Sequence, residues 1–465
     1  MGPLWSTPKR SSRVDNGESS PTDTVILGAG VIGLATAYQL SLAFAEAQQL
    51  LHNHVPPRIV VIEPSKHISP GASGQATGGL GDFGFGPETA PLGALSYRLF
   101  QEIAARHDGK DEFAFSDQVV YRVTPENFSG TPKPPDDWGP APPIEQPLTA
   151  LPSWIKPADG WTVQRLAGPP NGAHLDPASF CKFLFEQCKS LGVRFYFNAT
   201  ATAVQPPDGA PRFSTLSVQG PVGTRWNIRC RSIVIAAGPW SVRVFSRLFP
   251  GAKIKLPMNA TGSAGNHFRI RTPGWHPDDD KKGSEQVFLN NIIQTGKGLD
   301  ITSFPGGTLY IGGYGAVPKE LPDSADAVEA QPREINAMVN LVKQYTKVPS
   351  DQELEILEPG RCYRPLAIPN HPIITKVDWS LLGIHSSTMI TTQLKHPGSP
   401  SERPALSCPS TIGGIFVNTG HHSDGMTLSL GSGRVMSELL FGLPPSVNIS
   451  GLGIEMISSP FKSLL

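Results

Sequence analysis

The sequence predicts an α/β protein: a Rossmann-like nucleotide-binding domain assembled from three separated segments, with a second, mixed-sheet α+β domain built from the inserts. Three observations predict it. Thr24-Val25-Ile26-Leu27 is a short apolar run that enters the turn Gly28-Ala29-Gly30-Val31-Ile32-Gly33 and then a helical stretch, which is the strand, Gly-x-Gly-x-x-Gly, helix order of a dinucleotide site. Arg58-Ile59-Val60-Val61-Ile62-Glu63 is a second β-rich run that ends in an acid. Alternating strand and helix patterns with glycine turns recur over residues 23–84, 172–245 and 355–450, separated by stretches of different character.

In the first turn, Gly28 allows the tight bend, Gly30 admits the pyrophosphate close to the backbone, and Gly33 lets the helix pack on its strand. The helix start, with free N–H groups and a positive dipole end, favours phosphate. Glu63 is placed to hold a ribose hydroxyl. It lies 30 residues past Gly33, more than the usual spacing of about 20, and the excess sits in a long Ala/Leu/Gln helix over 34–51 and its loop. Next, Ser69-Pro70-Gly71-Ala72-Ser73-Gly74-Gln75-Ala76-Thr77-Gly78-Gly79 offers small residues that let backbone lie flat against a planar or phosphate-bearing ligand.

The second segment holds a strand over 198–204 and Ile233-Val234-Ile235-Ala236-Ala237-Gly238, another strand ending in a glycine turn. The third holds Gly360-Arg361-Cys362-Tyr363-Arg364-Pro365, then Pro372-Ile373-Ile374, then a strand over 414–419. That strand leads into His421-His422-Ser423-Asp424-Gly425-Met426-Thr427 and a helix to about residue 440, with Asp424 as the expected N-cap. The inserts, 85–171 and 246–354, form the second domain. They carry a Pro- and Trp-rich insertion over 124–171, β-rich runs over 266–271, 286–289 and 307–314, and a helix over 333–345. A Ser/Pro loop over 392–411 interrupts the third segment. Residues 1–22 and 451–465 are expected as tails, the first of them disordered.

The chain has 465 residues, enough for two or more domains, and its 39 Lys+Arg balance 39 Asp+Glu, so no nucleic-acid partner is implied. The five cysteines show no paired spacing, which fits a reducing compartment. No signal peptide is visible, and the longest apolar stretch is the dinucleotide unit rather than a membrane span. A cytoplasmic location is therefore expected. Ser463-Leu464-Leu465 faintly resembles a peroxisomal address, and Met1-Gly2-Pro3 matches a myristoylation signal except for its proline. The histidines show no metal-site spacing, and no nucleophile elbow is present.

These pieces, in this order, resemble the D-amino-acid oxidase/sarcosine oxidase superfamily of FAD enzymes over most of the chain outside the Pro-rich inserts. The resemblance implies that the Gly28–Gly33 turn holds the FAD pyrophosphate, Glu63 the ribose, and Ala72 and Ser73 the phosphates and ribityl chain. It places Gln75, Ala76, Thr77, Gly78 and Gly79 beside the isoalloxazine ring, Val204 against adenine, and Ala237 and Gly238 at the cofactor channel. Gly425, Met426 and Thr427, with Ser423 and Asp424 before them, aim backbone N–H groups at the negative charge of reduced flavin. Cys362 aligns with the flavin-linked cysteine of monomeric sarcosine and fructosyl-amine oxidases. Its two readings are a thioether to the flavin and a small buried hydrophobe.

The substrate side is less specified. Arg364 is the candidate for a substrate carboxylate. His421 and His422 are candidates for a polariser or proton carrier, with a structural role as the other reading. Asn266-His267 is a weaker pair, and Tyr310 a candidate cavity residue. Where some relatives carry a basic residue on the last helix, this chain has Ser423 or Thr427. Where sarcosine oxidases carry an oxygen-activating lysine, the run Thr308–Tyr314 has none. The implied activity is oxidation of a C–N bond in a small amine or amino-acid-like molecule by hydride transfer to FAD, with oxygen or another electron acceptor. The alternatives are dehydrogenation of a larger metabolite and a non-catalytic flavoprotein of endosome-to-Golgi trafficking, which would place it at endosomes. No strong general base is apparent.

Overall fold

The computed structural model describes residues 22–51, 58–124, 144–206, 214–259, 263–292, 297–314, 317–318, 320–349, 353–368, 370–383 and 411–454. The expected N-terminal tail, most of the Ser/Pro loop, the myristoylation match and the C-terminal tripeptide lie outside them, while Thr22 already belongs to the first strand.

The chain begins with β1 (Thr22–Leu27), α1 (Val31–Leu51), β2 (Ile59–Ile62), β3 (Gly79–Gly81), α2 (Ala90–Arg106), α3 (Gly109–Phe113) and β4 (Ser116–Thr124). Then follow β5 (Ile144–Gln146), β6 (Thr162–Ala167), β7 (Gly172–His174), α4 (Pro177–Ser190), β8 (Arg194–Tyr196), β9 (Thr200–Gln205), β10 (Ser214–Gln219), β11 (Arg225–Ile235) and α5 (Ser241–Leu248). The next stretch is β12 (Ser263–Arg271), β13 (Ser284–Ile292), β14 (Lys297–Phe304), β15 (Thr308–Gly312), β16 (Val317–Pro318) and α6 (Pro332–Tyr345). It closes with β17 (Leu357–Arg364), β18 (Ile373–Val377), β19 (Gly414–Thr419) and α7 (Gly425–Phe441).

Two mixed sheets organise these elements. The first runs β18-β19-β11-β1-β2-β8, with β10 and β9 added at β11. Its centre is parallel, as the buried run Val25-Ile26-Leu27 requires when helices cover both faces. On one face α1, α2, α4 and α7 pack around Ile26, Leu34, Phe100, Phe180 and Leu428, and on the other α5 packs around Val25, Ile233 and Phe245. The second sheet runs β16-β12-β15-β14-β13-β4-β6-β5, with α6 over a core of Phe268, Val287 and Met338.

The first sheet draws its strands from all three segments, and some stretches pair elsewhere than expected. Leu357–Arg364 pairs with β12, Ala264 opposite Tyr363, so it belongs to the second sheet and not to the third segment. β3 and β7 likewise pair with each other and then with β4. The Pro- and Trp-rich insertion is partly core: β5 and β6 extend the second sheet, and Trp154 is buried in it. Residues 125–143 of it lie outside the described residues. β14, unassigned from sequence, fills the space between β13 and β15. Among the described residues, no helix is long and apolar enough to cross a membrane.

Candidate active site

At the first turn, the backbone requires glycine. Gly28 has φ +114°, and a Cβ there would fall 2.5 Å from the carbonyl oxygen of Ala236, the residue after β11. A Cβ on Gly33 would sit 2.0 Å from the Gly28 oxygen, so α1 can start close to β1 only with glycine at this position. Glu63, at the end of β2, accepts from the Ala29 N–H at 2.8 Å and the Ser65 N–H at 3.0 Å. Its carboxylate therefore ties the turn to the neighbouring loop as well as lining the cavity beside it. Burial nonetheless pushes its carboxyl above the ordinary value, against the lowering effect of those bonds. The Ser73 hydroxyl accepts from the Val31 N–H at 3.0 Å, so one expected phosphate donor at the helix start already has a protein partner.

Between the two sheets lies a cavity of about 1350 Å³. Gly28, Gly30, Val31, Ile32 and Glu63 border it at one end, and Ala72, Ser73, Gln75, Ala76, Thr77 and Gly79 along the middle. Ala237 and Gly238, the stretch 423–427, and Cys362, Arg364, Tyr310, His421 and His422 complete the sequence-derived residues that it brings together. Four expected residues stand outside this wall. Ala29 is fully buried, and Gly33 packs against the turn. Gly78 (φ +83°) is pressed against the Leu175 carbonyl. Val204 pairs with Leu216 of β10, and the wall there is made by Ala199, Thr200, Ala201 and Thr202. Val204, expected against adenine, is thus not among the residues that border the cavity.

The N-terminus of α7 opens on the cavity. Its position is fixed by Ser96 of α2, whose hydroxyl donates to the Thr427 carbonyl at 2.5 Å and accepts from the Gly431 N–H at 3.0 Å. Thr427 Oγ1 donates to the Gly79 carbonyl at 3.2 Å, linking helix and loop. Asp424 does occupy the N-cap position, but its side chain makes no capping bond and instead accepts from Ser423 Oγ at 2.9 Å. Burial raises the Asp424 carboxyl to about 6. Both histidines are held by protein. His421 Nε2 lies 2.9 Å from Ser432 Oγ, and burial pushes its imidazole down to about 3. His422, with φ 51°, accepts from the Ala367 N–H at 2.9 Å. They enter the wall as neutral groups that fix the approach to α7.

The opposite wall belongs to the second sheet. Tyr310 Oη donates to the Gln75 carbonyl at 3.1 Å, and its ring stacks on His267 at 5.2 Å with 10° between planes. His267 is a packing partner whose imidazole burial lowers to about 4. Asn266 bonds Glu334 and accepts from the Gln331 N–H at 2.8 Å, which is a structural link to α6. Sequence reasoning missed Gln118, Gln286 and Asp300, three polar side chains from β4, β13 and β14 that also line the cavity. The available signal was alternation: Leu299 and Ile301 enter the core while Asp300 and Thr302 take the other face. Among the described residues, no cluster of His, Cys, Asp or Glu could hold a metal ion.

The residues present fit FAD. Gly28 and Gly30 keep the turn bare of side chains where it borders the cavity, and among the described residues the buried wall oxygens Gln75 Oε1 and Gln118 Oε1 have no hydrogen-bond partner. The comparisons agree. A relative from Schizosaccharomyces pombe is 26% identical over 263 residues, covering 53% of this chain and 63% of that one. A D-amino acid dehydrogenase of Bradyrhizobium diazoefficiens is 24% identical over 310 residues, covering 66% and 58%. The chain thus spans about six-tenths of the length of these curated relatives. In fold, it is similar to glycine oxidase from Geobacillus kaustophilus, with a TM-score of 0.65 at 17% identity over 94% of this chain and 98% of that one. It is also similar to L-proline dehydrogenase from P. horikoshii, with a TM-score of 0.62 at 13% identity over 93% and 96%. Residues 23–439 match the DAO family description, FAD dependent oxidoreductase. A dinucleotide cradle and a polar cavity set between two mixed sheets, together with that match, establish that the chain belongs to the DAO family of FAD-dependent oxidoreductases.

Proposed function

We propose that this protein oxidises the C–N bond of an amino-acid-like small molecule. The observation that carries the reading is the cavity wall opposite the glycine turn, where Arg364 and Asp300 supply both signs of charge beside Tyr310. FAD, when bound, supplies the hydride acceptor. Gly28 and Gly30 give its pyrophosphate a close backbone approach, Glu63 fixes that turn, and Ser73 braces the helix start. Gly425, Met426 and Thr427 direct a helix N-terminus into the cavity, which stabilises developing negative charge. Arg364 offers a planar guanidinium to a substrate carboxylate. Tyr310, anchored to Gln75, shapes the space in which the substrate carbon must lie.

Cys362 faces the cavity, whereas Cys181, Cys188 and Cys230 are fully buried. Burial raises its thiol above the ordinary value despite the lowering effect of Arg364 and Arg361, which disfavours the thiolate that a flavin link needs. Acid precipitation should therefore release FAD into the supernatant; flavin retained in the pellet would assign Cys362 a covalent link. No lysine lines the cavity among the described residues, so an acceptor other than oxygen is the proposed oxidant.

The reading is tested by turnover of FAD-loaded protein with the common amino acids and their N-methyl derivatives. A redox dye and dissolved oxygen serve as alternative acceptors, and the carbonyl product and released ammonia or methylamine are assayed. Dye-coupled product with little oxygen uptake is expected. Absence of carbonyl product from every member would overturn the reading.

A further inference from the structure

Asp300 lines the cavity beside Gln286, and Thr302 bonds it from the same strand. Gln286 Nε2 donates to its Oδ1 at 2.8 Å, and Thr302 Oγ1 to the same oxygen at 3.4 Å. Among the described residues, no donor bonds Oδ2. Gln286 and Thr302 thus both hold the carboxylate through Oδ1, on a residue that lines the cavity. Its backbone is fixed by pairing with Phe288 on one side and Gly312 on the other. Gly313, with φ +79°, packs so tightly that a Cβ there would fall 2.7 Å from the Asp300 nitrogen. A strand position this constrained gives the acid a defined direction.

We propose that Asp300 receives the substrate's ammonium group at Oδ2 and takes one of its protons. The proposal rests on the amine reading above and names what that reading lacked, a proton acceptor. In the step, an N–H bond of R–NH3+ breaks and an O–H bond forms on Oδ2. The products are a neutral amine with a free lone pair and a neutral carboxylic acid. Charge and atoms balance, and no electrons leave the pair. The lone pair is what a carbon losing hydride needs, since the product is an imine. Burial raises the Asp300 carboxyl to about 6, with Arg364 and the bonds from Gln286 and Thr302 opposing the rise. A carboxyl in that range accepts a proton more readily than an ordinary aspartate. Arg364 on the same wall suits the other end of a zwitterion, so the pair selects ligands that carry both charges.

The test compares amino acids with 2-hydroxy acids of the same carbon skeleton, such as alanine with lactate and phenylalanine with phenyllactate. Dissociation constants for FAD-loaded protein are read anaerobically from the perturbation of the flavin spectrum at first mixing. Wild type should prefer at least one amino acid over its hydroxy counterpart by about tenfold or more, the scale of one charge-assisted hydrogen bond. Asp300→Asn should erase that preference while leaving hydroxy-acid and FAD affinity within about twofold. Asp300→Glu should retain part of it, and Asp300→Ser replaces Asp300→Asn if the latter does not take up FAD. The proposal is overturned if wild type with FAD discriminates no pair. It is also overturned if the neutral variants keep the preference, or weaken both ligand classes equally. Failure of wild type to take up FAD would instead strike the flavoenzyme reading itself.

Discussion

Glu63 carries two burdens at one position, since its carboxylate accepts from the N–H groups of Ala29 and Ser65 while bordering the cavity. Glu63→Ala leaves both donors unpaired, a cost of about 1–3 kcal/mol each that falls on the turn meant for the pyrophosphate. FAD affinity should drop by about tenfold or more in a fluorescence titration, and unchanged affinity would remove Glu63 from the cofactor site. Arg361 presents the opposite case. It is 3% exposed on β17, and among the described residues none of its three guanidinium nitrogens has a hydrogen-bond partner. The nearby Tyr363 ring, 5.9 Å away, is a weak substitute. Arg361→Met should raise stability by about 1–3 kcal/mol in urea unfolding, because an unpaired buried charge costs more than the apolar contacts replacing it. A destabilised variant would show that the guanidinium has a partner in solution.

Helix α7 owes its place to glycines as much as to its apolar face. A Cβ on Gly433 would lie 2.5 Å from the Ala35 carbonyl of α1, and one on Gly431 2.9 Å from the Leu92 carbonyl of α2. Gly433→Ala must therefore push α7 off α1, which should cost about 1–3 kcal/mol of stability. The same shift moves Gly425, Met426 and Thr427, so FAD affinity should fall with the melting temperature; loss of stability at constant affinity would separate the helix from the site. The sequence made β1, the turn, β2, β19 and α7 legible because each joins a strong period to glycine punctuation. It did not reveal β14, where Lys297–Phe304 has Gly298 inside it and alternates too briefly to stand out. Asp300 was lost with it. A strand pattern likewise shows which residues extend but not where the cavity beside it ends, and Val204 lies outside the wall that residues 199–202 help to form.

At the scale of the molecule, the cavity is a joint product of two sheets, which explains the uneven legibility of the site. Residues 28–33, 63 and 72–79 sit in continuous motifs, and their grouping followed from local pattern. Gln118, Gln286, Asp300 and Arg364 meet only because β17 crosses to the second sheet and β4 pairs parallel with β13. Function also places a load on the whole fold. With its carboxyl raised from 3.8 to about 6, the folded protein binds the Asp300 proton more tightly than the unfolded chain. The stability tied to that proton is complete below the unfolded value and lost as pH rises through about 6. Asp300→Asn should thus raise the melting temperature of FAD-free protein near pH 8, with the gain vanishing near about pH 4. A gain that does not depend on pH would mean that charge is not its source.

The most direct measurement is anaerobic mixing of FAD-loaded protein with the paired amino acids and hydroxy acids, following the bleaching of oxidised flavin. Bleaching by at least one amino acid and by none of its hydroxy counterparts is the result this account predicts. A protein that binds FAD and is bleached by no amine, or by the hydroxy acids equally well, would contradict it.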